Sequence, residues 1–390
     1  MGISAPPLAL YLHFPWCVRK CPYCDFNSHT LQQELPQQAY LEALLTDLDA
    51  QRAQVGERRE VSLFLGGGTP SLFDPEAIGS LLSAVRERLV VAADAEITLE
   101  ANPGTIERGR FAGYRAAGVI RVSHGAQSFD SSMLERLGRI HSPRETRLAV
   151  EELRAAGLDN FNLDLMYALP GQDLAGALDD VRAAIELAPA HLSHYQLTLE
   201  PGTVFGGRPP EGLPGEELSD EMERRCQEEL SAAGYAHYET SAYARPGAQC
   251  AHNLNYWNFG DYLGVGAGAH GKLTRTGDGP IVRTVREREP RRYLAHGRDG
   301  PPATTPVRSE ELPFEFMLNA LRLVGGFPTA LFESRTGLPW DTVRRPMARL
   351  AARGLVTHSS NGAEHWSPTL LGRRFLNDLI AEFLPARTGA

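Results

Sequence analysis

Leu8-Ala-Leu-Tyr11-Leu-His-Phe14-Pro-Trp-Cys17-Val-Arg-Lys-Cys21-Pro-Tyr-Cys24 is the stretch from which the rest of the chain is read. Residues 8–14 form a short, mostly apolar run that ends at a proline, as a buried strand does. Three cysteines follow at once, in the spacing CxxxCxxC. In parallel α/β architectures ligands gather at the C-terminal ends of strands. A strand that runs straight into a ligating loop therefore predicts that strands and helices alternate onward.

They do. Residues 39–48 place Leu41, Leu44, Leu45 and Leu48 on one helical face. Residues 61–65 are an apolar run ending in Gly66-Gly67-Gly68. The next helix carries a stripe of Ile78, Leu81, Leu82, Val85 and Leu89, with Asp74-Pro75 as N-cap and first residue. Strands are expected at 97–100, 119–123, 161–166 and 192–199. Helices are expected at 106–117, closed by Gly118, at 131–137, at 143–156, closed by Gly157, and at 174–187. Six such repeats imply an α/β fold with a parallel sheet and outer helices. A partial (β/α)6 TIM-like barrel fits, and so does an open doubly wound sheet; periodicity does not separate them.

The expected domains are 1–215, 216–300 and 301–390. Residues 201–215 hold Pro201, Pro209, Pro210, Pro214 and several glycines, so this segment reads as a crossing loop or linker, and Pro301, Pro302 and Pro306 mark a second linker. Residues 309–385 read as three helices, a short hairpin and a helix, the order of a winged helix.

The composition, 390 residues with 42% hydrophobic and 22% charged, is that of a soluble globular protein. A net charge of −9 argues against a nucleic-acid partner. The Arg-rich stretches 108–121 and 283–298 read as solvated faces. With no signal-like N-terminus and no apolar run long enough to span a bilayer, a cytoplasmic location is expected. Five cysteines, three of them within eight residues, look like a metal site rather than a disulfide framework. Cys226 and Cys250 read as free thiols.

Three thiolates on a short loop can hold three irons of a [4Fe–4S] cubane, whose usual complement is four cysteines. The fourth iron can then chelate the amino and carboxylate groups of a methionyl ligand, and one electron passed to the sulfonium releases a 5′-deoxyadenosyl radical. The competing reading is a zinc site completed by His29 or Asp25, which the spacing disfavours. The Gly66-Gly67-Gly68-Thr69-Pro70 turn lets backbone approach the methionyl amino group closely. Glu100, Gln127 and Asp164 fall at or just after the ends of three further strands, and together they read as site residues. His252-Asn-Leu-Asn-Tyr256-Trp257 is a second cluster. It is either an axial haem ligand beside aromatic rings or a packed core histidine.

At these motifs the sequence resembles the coproporphyrinogen III dehydrogenase branch of the radical S-adenosylmethionine (SAM) superfamily, and within it the haem-chaperone group. The resemblance rests on 11–17, 24–29, Gly66–Pro70, Glu100-Ala-Asn-Pro-Gly104, Gly125-Ala-Gln127-Ser-Phe129, Leu137-Gly-Arg139-Ile-His141, 161–166, 238–243, 252–257 and 264–271. It implies a [4Fe–4S] cluster on Cys17, Cys21 and Cys24. It also implies SAM contacts at Tyr11, Gly67, Gly68, Thr69, Glu100, Gln127, Arg139 and Asp164. Dehydrogenases of the branch decarboxylate two propionates in porphyrin biosynthesis; chaperones bind haem as cargo and deliver it to respiratory haem enzymes. Dehydrogenases are similar to one another in a further cysteine, CxxxCxxCxC, where this chain has Phe26, and in a longer segment before the equivalent of Tyr11. Both departures favour the chaperone, as does HNxxYW, which makes His252 the expected haem ligand. A dehydrogenase and a winged-helix regulator using the cluster as a sensor are the alternatives. A homodimer and peripheral membrane association follow from the resemblance only.

Overall fold

The computed structural model describes residues 5–104, 109–275, 277, 279–359 and 364–385. Strands β1 (Leu8–Phe14), β2 (Arg59–Gly67), β3 (Val90–Ala101), β4 (Arg121–Gln127), β5 (Phe161–Tyr167) and β6 (His191–Gln196) lie side by side in chain order, all parallel. Helices α1 (Gln37–Arg52), α2 (Pro75–Arg88), α3 (Phe111–Ala117), α4 (Pro143–Ala155) and α5 (Leu174–Glu186) connect them. Because side chains alternate along a strand, Leu10, Leu12, Leu63, Leu65, Leu99 and Val122 face these helices. There they meet Leu44, Ile78, Leu82, Tyr114, Val150 and Val181 in one core.

The structure adds strands that the sequence left in a mixed region. After α6 (Glu216–Ala232), β7 (Ala236–Glu239) and β8 (Ala242–Ala244) extend the sheet antiparallel beyond β6. Following α7 (Ala251–Trp257), β9 (Asp261–Val265) pairs parallel with β1 on its free side and becomes a seventh parallel strand. Antiparallel β10 (His270–Thr274), β11 (Ile281–Val285) and β12 (Ala303–Pro306) complete an open sheet of twelve. Part of the expected linker is thus an edge strand, where Pro306 costs no ladder bond. The sheet curves. Side chains from β1, β2, β3 and β6 all reach the one segment 238–256, through Tyr11, Ser62, Glu96 and His191.

Two expectations shift locally. The expected strand 119–123 is β4, which starts later and runs on to Gln127. Gly118 takes a left-handed φ of 105° and the Val119 amide donates back to Tyr114 O, so both residues cap α3. The Arg-rich stretches are not wholly solvated: Arg121 is buried on the inner face, and Arg286 is buried against Asp47 of α1.

Residues 312–383 build a second core around Phe316, Phe327, Phe332, Trp340 and Trp366, joined by Phe259 and Ile281. Three helices, Leu312–Ala320, Thr329–Thr336 and Asp341–Ala352, precede a hairpin of Val356–Ser359 with His365–Pro368, joined by Phe327–Pro328 as a third strand. This is the winged-helix order. Among the described residues, no helix is long and apolar enough to cross a membrane.

Candidate cluster and SAM site

The inner face of the sheet is polar where an ordinary parallel sheet would be apolar. Its side chains include Ser62, Glu96, Glu100, Arg121, Ser123, Asn162, Asp164, His191 and Tyr195. At the C-terminal edge they open into a cavity of about 350 Å3. Cys17, Cys21, Cys24, Gly67, Gly68, Glu100, Gln127, Arg139 and Asp164 all line it. Tyr11 and Thr69, also expected at the site, do not. Thr69 lies behind Cys17, on a smaller neighbouring cavity. The Tyr11 hydroxyl bonds His13 Nδ1 at 3.0 Å, with its ring near Phe64 and His252.

The cysteine loop is tied down by its own backbone. Cys24 N donates to Cys21 O, His29 N to Pro15 O and Leu31 N to Cys17 O. Lys20 Nζ bonds the carbonyls of Phe26 and Ser28, closing the loop. The glycine turn sits against it. Gly68 N donates to Phe14 O at 2.6 Å, and a Cβ there would stand 2.5 Å from Trp16 O. Gly67 has φ 114°, and its Cβ would strike the His13 ring. Glycine is therefore required at both positions. The Gly67 amide donates to Glu100 Oε2 at 2.9 Å.

Donors point at the sulfurs. Thr69 Oγ1 stands 3.5 Å from Cys17 Sγ, and Arg139 Nη1 stands 3.6 Å from Cys21 Sγ. Arg139 is fixed in turn by Asn102 Oδ1 at 2.6 Å and Gly125 O at 2.9 Å, and Asn102 Nδ2 donates to Thr69 Oγ1 at 2.8 Å. Asn102 thus joins both donors. The motif 100–104 was the sequence signal for it, but only Glu100 was singled out. Tyr195, also missed, donates to Gln127 Oε1 at 2.9 Å. Gln127 itself has a φ of 66°, rare for a residue with a side chain.

Burial pushes the Cys17 thiol up to about 11; the Thr69 bond pulls the other way. A buried thiolate there needs a cation, which iron supplies. Among the described residues, no three His, Cys, Asp or Glu side chains converge as a single ion requires. The three thiols line one cavity instead, where each can take a separate iron. The donor set thus fits a [4Fe–4S] cluster better than zinc. Burial lifts Glu100 to about 7, against the Gly67 amide and with help from Asp164. Burial also raises Asp164, offset by Asn162, Ser193, Arg121 and Arg139. A carboxyl pair held this way suits a ligand of net positive charge, which SAM is. Bound here, cluster and SAM supply one-electron chemistry; the protein's share is to hold and orient them.

His252 is not at this cavity. It is buried on α7, beneath the sheet's inner face, with Nδ1 2.9 Å from Ser62 Oγ and Nε2 2.8 Å from the Tyr256 hydroxyl. Burial and the Arg121 charge lower it to about 3, so the ring is neutral. Cys250, at the N-cap of α7, is buried beside Glu96.

A cysteine loop, a glycine turn and a polar inner face on a curved parallel sheet define a radical SAM protein. Residues 11–184 match the radical SAM superfamily and residues 307–375 the HemN C-terminal domain. The fold matches that of the Escherichia coli coproporphyrinogen III oxidase HemN, a radical SAM enzyme, with a TM-score of 0.80 and 22% identity, covering 97% of this chain and 90% of that one. The heme chaperone HemW of E. coli K12 is 50% identical over 98% of this chain and 99% of its own. That of Haemophilus influenzae is 46% identical over 97% and 98%. The chain belongs to the heme chaperone HemW family.

Proposed function

We propose that this protein is a haem chaperone: it binds haem and passes it to haem proteins, with the cluster and SAM site retained. The observation that carries the reading is the near full-length identity of 50% to a curated heme chaperone. Phe26, exposed at the cavity where dehydrogenases of the branch have a cysteine, supports it. The recipients in this reading are respiratory haem enzymes. A homodimer, a cytoplasmic location and peripheral contact with the membrane that carries those recipients complete it on the strength of the family resemblance. His252 is the candidate axial ligand, and ligation requires one ring nitrogen to give up its partner, Nδ1 that of Ser62 or Nε2 that of Tyr256.

The test is anaerobic. Reconstituted protein with reductant and SAM is given coproporphyrinogen III, and a parallel sample is titrated with haem. The reading predicts a Soret band from bound haem and no decarboxylated product; protoporphyrinogen formed in step with 5′-deoxyadenosine would make the protein the dehydrogenase. His252→Ala is expected to weaken haem binding with iron content near that of the wild type. An unchanged Soret titration would remove His252 as the ligand.

A further inference from the structure

Asp164 at the cavity and α7 at the other end of the inner face are joined by an unbroken line of buried hydrogen bonds. Asn162 Nδ2 donates to Asp164 Oδ1 at 2.7 Å and to Ser123 Oγ at 2.8 Å. With both amide protons spent, Asn162 Oδ1 is the acceptor facing His191 Nδ1 at 2.7 Å. His191 Nδ1 therefore carries the proton, and Nε2 accepts from the Tyr238 hydroxyl at 2.8 Å. That hydroxyl accepts from the Cys250 amide at 3.3 Å, at the N-cap of α7. Cys250 Sγ and the His252 amide both engage Glu96 Oε1. Every donor in the line from Cys250 to Asp164 points toward the cavity, so the bonds polarise one another in one direction. The line has no slack: Asn162, His191, Tyr238 and Cys250 are all buried. Burial, with the Arg121 charge beside it, holds His191 neutral, as its acceptor role demands.

We propose that Asn162, His191 and Tyr238 are positioning residues for the SAM site: they fix Asp164 at the cavity and tie its occupancy to the seating of α7. The proposal rests on the reading of the cavity as a SAM site. A ligand drawing on Asp164 tightens the line and holds α7 in place; loss of the ligand loosens both. The α7 segment carries His252, whose Nδ1 bonds Ser62 of β2 while the helix is seated, so the line gives the SAM site a hold on that segment.

The test uses the full chain with its cluster reconstituted, and four variants. Tyr238→Phe removes one hydroxyl from the line. Tyr243→Phe makes the same change on β8, outside the line. His191→Gln keeps a donor and an acceptor, where His191→Leu keeps neither. SAM affinity is read from the signal of the reduced cluster, and amide hydrogen exchange is read across 251–257 with and without SAM. We expect SAM to slow exchange across 251–257 in the wild type and in Tyr243→Phe. Tyr238→Phe should lose that response and bind SAM about fivefold to tenfold more weakly, with iron content unchanged. His191→Gln should keep part of the response that His191→Leu loses. Wild-type exchange that ignores SAM, or Tyr238→Phe behaving as Tyr243→Phe does, would overturn the proposal. A wild-type protein with a full cluster that binds no SAM would instead overturn the reading of the cavity, and the proposal with it.

Discussion

Cys21 carries more of the site than its spacing alone says, because Arg139, 118 residues later, points a guanidinium nitrogen at its sulfur. Cys21→Ser should lose most cluster iron by chemical assay and visible absorption; a full cubane in that variant would refute the ligand set. Glu100 gives a pH signature. Its carboxyl titrates near 7 in the free protein, so below that pH a cation must displace a proton to bind. SAM affinity is expected to rise with pH up to about 7 and level off above it, and Glu100→Gln should flatten the curve at the weaker, low-pH level. A slope unchanged in the variant would assign the titration to another group. These carboxyls were legible in the sequence because they sit at strand ends, where a parallel fold collects ligands. Asn102 and Tyr195 were not: each acts by holding another residue, and no spacing in the chain announces such a contact.

Elements were legible where one face is apolar and a cap marks the end. α1 and α2 came from their stripes and α4 from the Gly157 that closes it; α4 is capped by Ser142, whose hydroxyl and Glu145 form a capping box. β9 was hidden because a short apolar run in a Gly-rich segment does not reveal that its partner is β1, some 250 residues earlier. The segment after β11 was misread for a related reason. Arginine in a charged stretch is ordinarily solvated, but Arg286 turns inward to Asp47, and the Tyr293 hydroxyl donates to the same carboxylate at 2.8 Å. Both charges are buried, so removing one strands the other. Asp47→Ala should destabilise the protein by about 3–5 kcal/mol in urea unfolding. Asp47→Leu combined with Arg286→Met should recover much of that loss. A single variant within roughly 1 kcal/mol of the wild type would show that the pair does not hold this edge of the sheet.

For the whole molecule, the sheet is one continuous object that serves two ends. Its C-terminal edge collects the cysteine loop, the glycine turn and the carboxyls. Its inner face runs down to α7, and both of its antiparallel flanks meet the winged-helix module, through Arg283 with Glu315 on one and through Thr240 with Arg322 on the other. The class of chemistry could be read from eight residues, 17–24. Whether the cavity works on a porphyrin or the chain carries one could not, since function is set by the site and not the fold. The difference lies in small departures such as Phe26 and in full-length kinship.

The most direct measurement is haem transfer. The protein, cluster reconstituted and loaded with haem under anaerobic conditions, is mixed with the haem-free form of a respiratory haem enzyme. The two are then separated, and haem is quantified on each by its Soret band. The account predicts that haem leaves this protein for the recipient and restores the recipient's spectrum, faster than from an equal amount of free haem. Haem that stays on the protein, or transfer no faster than from free haem, would contradict it.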